Sequence, residues 1–121
     1  LIKIFLDDIR IPLDDQWIII KDYEQFIEYV VKINFNEIYE ISLDHDLGFL
    51  DENYEKTGYD VAKWLIKYCQ DNNYILPLIK VHSANTVGSN NIISLINNYL
   101  KFMKKDQNCI SHVVKLKRTK D

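Results

Sequence analysis

Two clusters of carboxylates in this chain have the residue types and spacing for chemistry. Leu6-Asp7-Asp8-Ile9-Arg10 follows the apolar run LIKIF, and Ser42-Leu43-Asp44-His45-Asp46-Leu47-Gly48 follows EIYEI. A third polar cluster, His82-Ser83-Ala84-Asn85, closes the run LIKV. All three runs have strand character, and parallel strands separated by helices share one C-terminal edge, so the clusters are expected to converge there. Carboxylate oxygens from two neighbouring strands suit a hard divalent cation such as Mg²⁺ or Mn²⁺, which keeps several waters and leaves positions for phosphate oxygens. Phosphate chemistry is the natural use of such a site.

Each residue also has a plainer reading. Asp7-Asp8 doubles as an ordinary turn or cap signal. Asp44-His45-Asp46 is harder to read that way, because carboxylates flanking an imidazole at a buried strand end repel one another unless a cation or a proton offsets them. His82 alone reads as a hydrogen-bonded structural histidine or as a proton-transfer group. Ser83 and Asn85 are either turn formers that cap local backbone or contacts to phosphate. Arg10 either pairs with Asp14 or Asp15 or grips a phosphate through its bidentate fork. Gly48, Gly58 and Gly88, the only glycines, all fall in loops at the expected site edge. There they supply a positive φ or let backbone approach a ligand closely. Trp17 and Trp64 read as core or edge packing, with base stacking as the alternative.

The elements that must position these residues follow from periodicity. Residues 1–6 form the first, central strand. Residues 9–16 hold Pro12 and Asp14-Asp15 and are too short for a helical crossover to the next apolar run, 17–20, whose direction is therefore open. From Asp22, an expected N-cap, apolar residues recur at helical spacing and give a helix over 23–33. Residues 37–43 return to strand. The acidic stretch 48–56 is a loop over the sheet edge with the makings of a lid. Thr57-Gly-Tyr-Asp60 has capping-box spacing and opens a helix from 58 to about 71. A strand over 78–81 follows, then a helix carrying Ile92, Ile96, Tyr99 and Met103, whose N-terminus is placed to hold a phosphate through free N–H groups. A final edge strand is expected over 111–116.

Composition bounds the rest. The 121 residues, 47% of them hydrophobic, make one domain spanning 1–121 with a single core. A net charge of −3 argues against wholesale binding to nucleic-acid backbone, although the Lys115–Lys120 stretch is locally basic. Sequence-specific DNA binding is not expected, for want of a basic stripe interleaved with aromatics. Cys69 and Cys109 form no CxxC pair and read as small apolar residues, which fits a reducing compartment. With no apolar run near 18 residues and no leader-like start, the chain is expected to be cytoplasmic, in a host cell if viral, and to have no membrane partner. Its oligomeric state is left open.

Four ordered motifs, LDDIR-x-P with Trp17 downstream, ISLDHDLG, TGYDVAKWL and VHSAN-x-VG-x-x-NI, resemble the cyclic-phosphate processing receiver-like domain family over about residues 2–96. That family is a derived branch of the response-regulator receiver fold. The resemblance implies a receiver-like (flavodoxin-like) three-layer α/β sandwich with a mostly parallel central sheet. It also implies a hydrolytic role on cyclic nucleotides or on RNA ends carrying a 2′,3′-cyclic phosphate. By it, Asp7 and Asp8 match the receiver acidic pair, Asp44 the third-strand aspartate that signalling receivers phosphorylate, and Ser83 the small hydroxyl residue closing the fourth strand. His45 and His82 depart from the signalling pattern, the fifth-strand lysine matches only Lys115 or Lys117 loosely, the receiver's first helix is missing, and Thr86 replaces a common proline.

The expected activity is a metal-dependent phosphodiesterase opening a cyclic phosphate. Asp7, Asp8 and Asp44 hold the ion, and His45 and His82 serve as acid and base in either order. Asp46 orients His45 or supports the metal, and Ser83, Asn85, Gly88 and Arg10 receive phosphate oxygens. Two alternatives from other classes are a phosphoacceptor domain modified on Asp44 and a noncatalytic protein that binds a cyclic nucleotide.

Overall fold

The computed structural model describes residues 1–109. Its centre is a four-stranded, all-parallel sheet of β1 (Ile2–Leu6), β2 (Trp17–Ile20), β3 (Ile38–Leu43) and β4 (Leu78–Val81) in the order β2-β1-β3-β4. This is the receiver-like α/β arrangement, and it fixes the direction of β2, which periodicity left open. The connection from β1 to β2 contains no helix, as its length and Pro12 predict.

Local sequence starts and stops the helices. In α1 (Tyr23–Lys32), Asp22 caps the first turn by accepting from the Gln25 N–H at 2.8 Å. In α2 (Gly58–Asn72), Thr57 and Asp60 form the reciprocal capping box, and Asn73 ends the helix in the left-handed conformation at φ 60°. The last helix, α3 (Thr86–Cys109), begins ahead of Ile92, where its apolar pattern starts, because Asn85 caps it from a polar segment. The expected strand over 111–116, Lys115, Lys117 and the basic tail lie outside the described residues.

Strand alternation sends Ile4, Leu6, Ile20, Ile41 and Leu43 into one core with Phe26 and Val30 of α1, Val61 and Leu65 of α2, and Ile92 of α3. Cys69 lies in this core as a free thiol pushed up to about 12 by burial. All three helices therefore cover the same face of the sheet, and the described residues build two of the three layers expected. Handedness gives the reason. The step from β1 to β2 runs across the sheet opposite to the later steps, so a right-handed helical crossover there would occupy the other face, and this chain has none. That other face carries Lys3, Phe5, Trp17, Glu40, Ser42 and Lys80, with Lys3 Nζ 4.3 Å from the Trp17 ring centroid and Lys80 paired to Glu40 at 3.3 Å. No described helix is long and apolar enough to cross a membrane.

Candidate functional site

The register aligns the functional residues in one row. Leu43 pairs with Leu6 on one side and Val81 on the other, so β1, β3 and β4 end in register. The next residue on each strand donates its N–H one rung further: Asp44 to the Leu6 carbonyl at 3.0 Å and His82 to the Leu43 carbonyl at 2.9 Å, while Asp7 donates to Ile20 at 3.0 Å. Asp7, Asp44 and His82 are thus the first residues past the ladder, as the position of the clusters at strand ends predicts.

Asp7, Asp8 and Asp44 are all buried and bring one carboxylate oxygen each within 4.8 Å of the others. Asp7 Oδ1 accepts from the Ile9 and Arg10 N–H groups, both at 2.9 Å, and Asp7 Oδ2 meets His82 Nε2 at 3.0 Å. Asp8 Oδ2 accepts from the Phe49 N–H at 2.7 Å. Asp8 Oδ1 has no partner, the one such buried side-chain atom among the described residues. Burial pushes the Asp44 carboxyl above its ordinary range and the neighbouring Asp7 adds to this, while hydrogen bonding with Ser83 and the charges of His82 and Arg10 oppose it. Buried acids this close with an orphaned oxygen fit a divalent cation.

A cleft of about 390 Å³ opens above these acids and is walled by Arg10, Asp46, Leu47, Phe49, Lys56 and Ser83 among others. Arg10 does not pair with Asp14 or Asp15; its Nη1 donates to the His82 carbonyl at 3.0 Å. Asp14 instead accepts from the Gln16 N–H at 3.0 Å. The loop after β3 is anchored rather than free as a lid is, since Phe49 is tied to Asp8, and the Tyr54 hydroxyl accepts from the Tyr23 N–H at 2.9 Å and donates to Glu24 at 2.7 Å.

The two histidines occupy different surroundings, and neither is among the residues lining that cleft. His82 has both ring nitrogens engaged, Nδ1 with the Ser42 hydroxyl at 2.7 Å and Nε2 with Asp7, and its ring stacks on Phe5 at 4.1 Å. His45 lies in a second groove with Tyr59, Asn91, Ser94 and Asn98, its Nδ1 held 2.8 Å from Asp46 Oδ1. That contact, with help from Asn85, holds the Asp46 carboxyl below its usual range.

Asn85 and Gly88 do not face the cleft either. Asn85 Oδ1 accepts from the Gly88 N–H at 2.8 Å and Asn85 Nδ2 donates to Asp46 at 3.3 Å. The Gly88 N–H is therefore committed to the helix cap instead of being open to a phosphate. Nor does any glycine use a positive φ. Gly58 is needed because a Cβ would collide with the Asp44 carbonyl, and Gly88 because one would overlap the His45 ring.

Phe5, Ser42, Phe49 and Lys56 contribute to the site without having been singled out from the sequence. Ser42 carried a signal, as a polar residue inside an otherwise apolar strand end, whereas Lys56 sits in a polar loop where a lysine is unremarked.

A family model described as cyclic-phosphate processing Receiver domain matches residues 2–98. The chain belongs to this family. The match spans β1 through the first half of α3 and includes every acid of the cluster. No curated protein and no solved structure matched the chain. Within this cyclic-phosphate processing receiver domain, Asp7, Asp8 and Asp44 form a buried acidic cluster that could hold a metal ion.

Proposed function

We propose that the chain is a metal-dependent phosphodiesterase that hydrolyses a cyclic phosphate, in a cyclic nucleotide or at a 2′,3′-cyclic phosphate RNA end. The observation that carries this reading is the unpartnered, buried Asp8 Oδ1 beside Asp7 and Asp44 at the floor of the cleft. These three residues would hold Mg²⁺ or Mn²⁺. Such an ion supplies charge neutralisation and Lewis acidity at the phosphoryl group. Four carboxylates line the cleft, Asp7, Asp8, Asp44 and Asp46, against the cations Arg10 and Lys56. The formal excess of two negative charges repels an anionic phosphate until it is offset.

Ser83 and Arg10 lie on the cleft wall and offer a hydroxyl and a guanidinium to nonbridging oxygens, while Asn85 and Gly88 fix the turn behind Ser83. The oxygen of water forms a new bond to phosphorus, one ring P–O bond breaks, and the proton passes from the water to the departing oxygen, with His45 serving that transfer from the adjoining groove through Asp46 on the cleft wall. Asp46, held at Nδ1 of His45, orients the imidazole and couples it to the cleft. His82, donating from Nε2 and accepting from Ser42, orients Asp7.

Purified protein should open the ring of one class among 2′,3′-cyclic and 3′,5′-cyclic mononucleotides, cyclic dinucleotides and cyclic-phosphate-ended RNA, with Mg²⁺ or Mn²⁺ and not with chelator. Asp44→Asn combined with His45→Ala should lower that rate at least ~10²-fold. Undiminished turnover in the double variant would sink the reading. A second reading, Asp44 as a phosphoacceptor, is favoured by the Ser83 side chain beside its carboxylate. It requires a phosphoryl mass gain from a small donor that disappears in Asp44→Asn. Tight cyclic-nucleotide binding with no product would instead favour sequestration.

A further inference from the structure

The acids of the cluster hold more than one another. Asp7 Oδ1 accepts from the backbone of Ile9, and Asp8 Oδ2 from the backbone of Phe49, at 2.9 and 2.7 Å. Both residues line the cleft, and their side chains are left in solvent, Phe49 69% exposed and Ile9 50%. A phenylalanine whose backbone is fixed to a buried carboxylate while its ring packs on little contributes almost nothing to folding. What the arrangement does fix is the offset between an apolar surface and the acids. The same cleft is also lined by Ser83, Arg10 and Lys56, which are polar or cationic. The lining thus offers cations and a hydroxyl to an anion and apolar side chains to a flat apolar body, and about 390 Å³ accommodates a phosphate, a ribose and one base rather than a folded RNA.

We infer that Phe49, with Ile9, is the platform on which the base of a nucleoside cyclic phosphate stacks, making this a site for a single nucleotide unit. The inference rests on the cyclic-phosphate reading and adds its specificity. Stacking is tolerant of base identity because every base has a π-face, so the platform selects for a base without selecting which one.

The test compares binding by calorimetry, in Mg²⁺ and in chelator, of adenosine 2′,3′-cyclic and 3′,5′-cyclic phosphates with the corresponding ribose cyclic phosphates that lack a base. The wild-type chain should prefer one nucleotide over its abasic partner by about 10-fold or more. Phe49→Ala should remove most of that preference while leaving abasic affinity unchanged, Phe49→Trp should restore it, and Ile9→Ala should erode it partially. Circular dichroism should show the exposed substitutions folded. Equal affinity for nucleotide and abasic ligand in the wild type, or a preference that survives Phe49→Ala, overturns the platform alone. Failure of every ligand to bind, with cation binding intact, overturns the cyclic-phosphate reading and the platform with it.

Discussion

Asp8 is the residue at which folding and chemistry pull in opposite directions. Its Oδ1 is buried without a partner, a condition that costs a folded chain about 1–3 kcal/mol. Asp8→Asn is therefore expected to raise the melting temperature of the cation-free protein by a few °C. The same change should abolish the stabilisation that saturating Mg²⁺ gives the wild type, about 2.7 kcal/mol at 100 times the dissociation constant. Thermal melts in chelator and in Mg²⁺ check both halves. A variant that melts lower in chelator, or keeps the full Mg²⁺ shift, would remove Asp8 from the metal set.

At the scale of elements, the loop between β3 and α2 owes its position to Tyr54. The hydroxyl bridges the start of α1 by accepting from Tyr23 and donating to Glu24. Partial burial and the Glu24 carboxylate push the phenol up to about 12 from its ordinary 10.0. Because the folded value lies above the unfolded one, this contribution is whole below pH 10 and lost as the pH rises through about 12. Difference titration of wild type against Tyr54→Phe should show one tyrosine ionising near that upper limit. The variant should also lose about 1 kcal/mol of stability at neutral pH. Much of this scale was legible in the sequence. Asp22, Thr57 and Asp60 act on backbone within three residues, and β3 and β4 lie within one residue of their apolar runs. What was not legible is long-range: Phe49 meets Asp8 across 41 positions and Ser42 meets His82 across 40, and no local pattern encodes either. The direction of β2 needed the whole sheet, and Gly88 looked like a ligand contact because its neighbour in space, His45, is far away in the chain.

For the whole molecule, the decisive feature is that the helices cover one face of the sheet while His82 reaches Asp7 from the other. Its ring lies on Phe5, which meets Trp17 edge-on at 5.7 Å, so the site is joined through three aromatic rings to the face that none of the described helices covers. His82→Ala should destabilise the protein by about 1–3 kcal/mol, because it leaves Asp7 Oδ2 and the Ser42 hydroxyl without a partner. It should also alter Trp17 emission, read against a Trp64→Phe background, whereas His45→Ala should leave that emission unchanged. An unaltered spectrum in His82→Ala would break the proposed chain of contacts.

Asp7 and Asp8 are neighbours with unequal freedom to change. Asp7 donates its backbone N–H to β2, folds the next turn onto its Oδ1 and engages His82 with its Oδ2, whereas Asp8 ties down one loop and leaves an oxygen spare. If the proposed hydrolysis were lost and the fold kept for binding, Asp8 would be shed first, with a gain in stability. Asp7 would persist as a relic, so among descendants of such a chain its presence would be no sign of a working enzyme, and the loss of Asp8 would date the retirement.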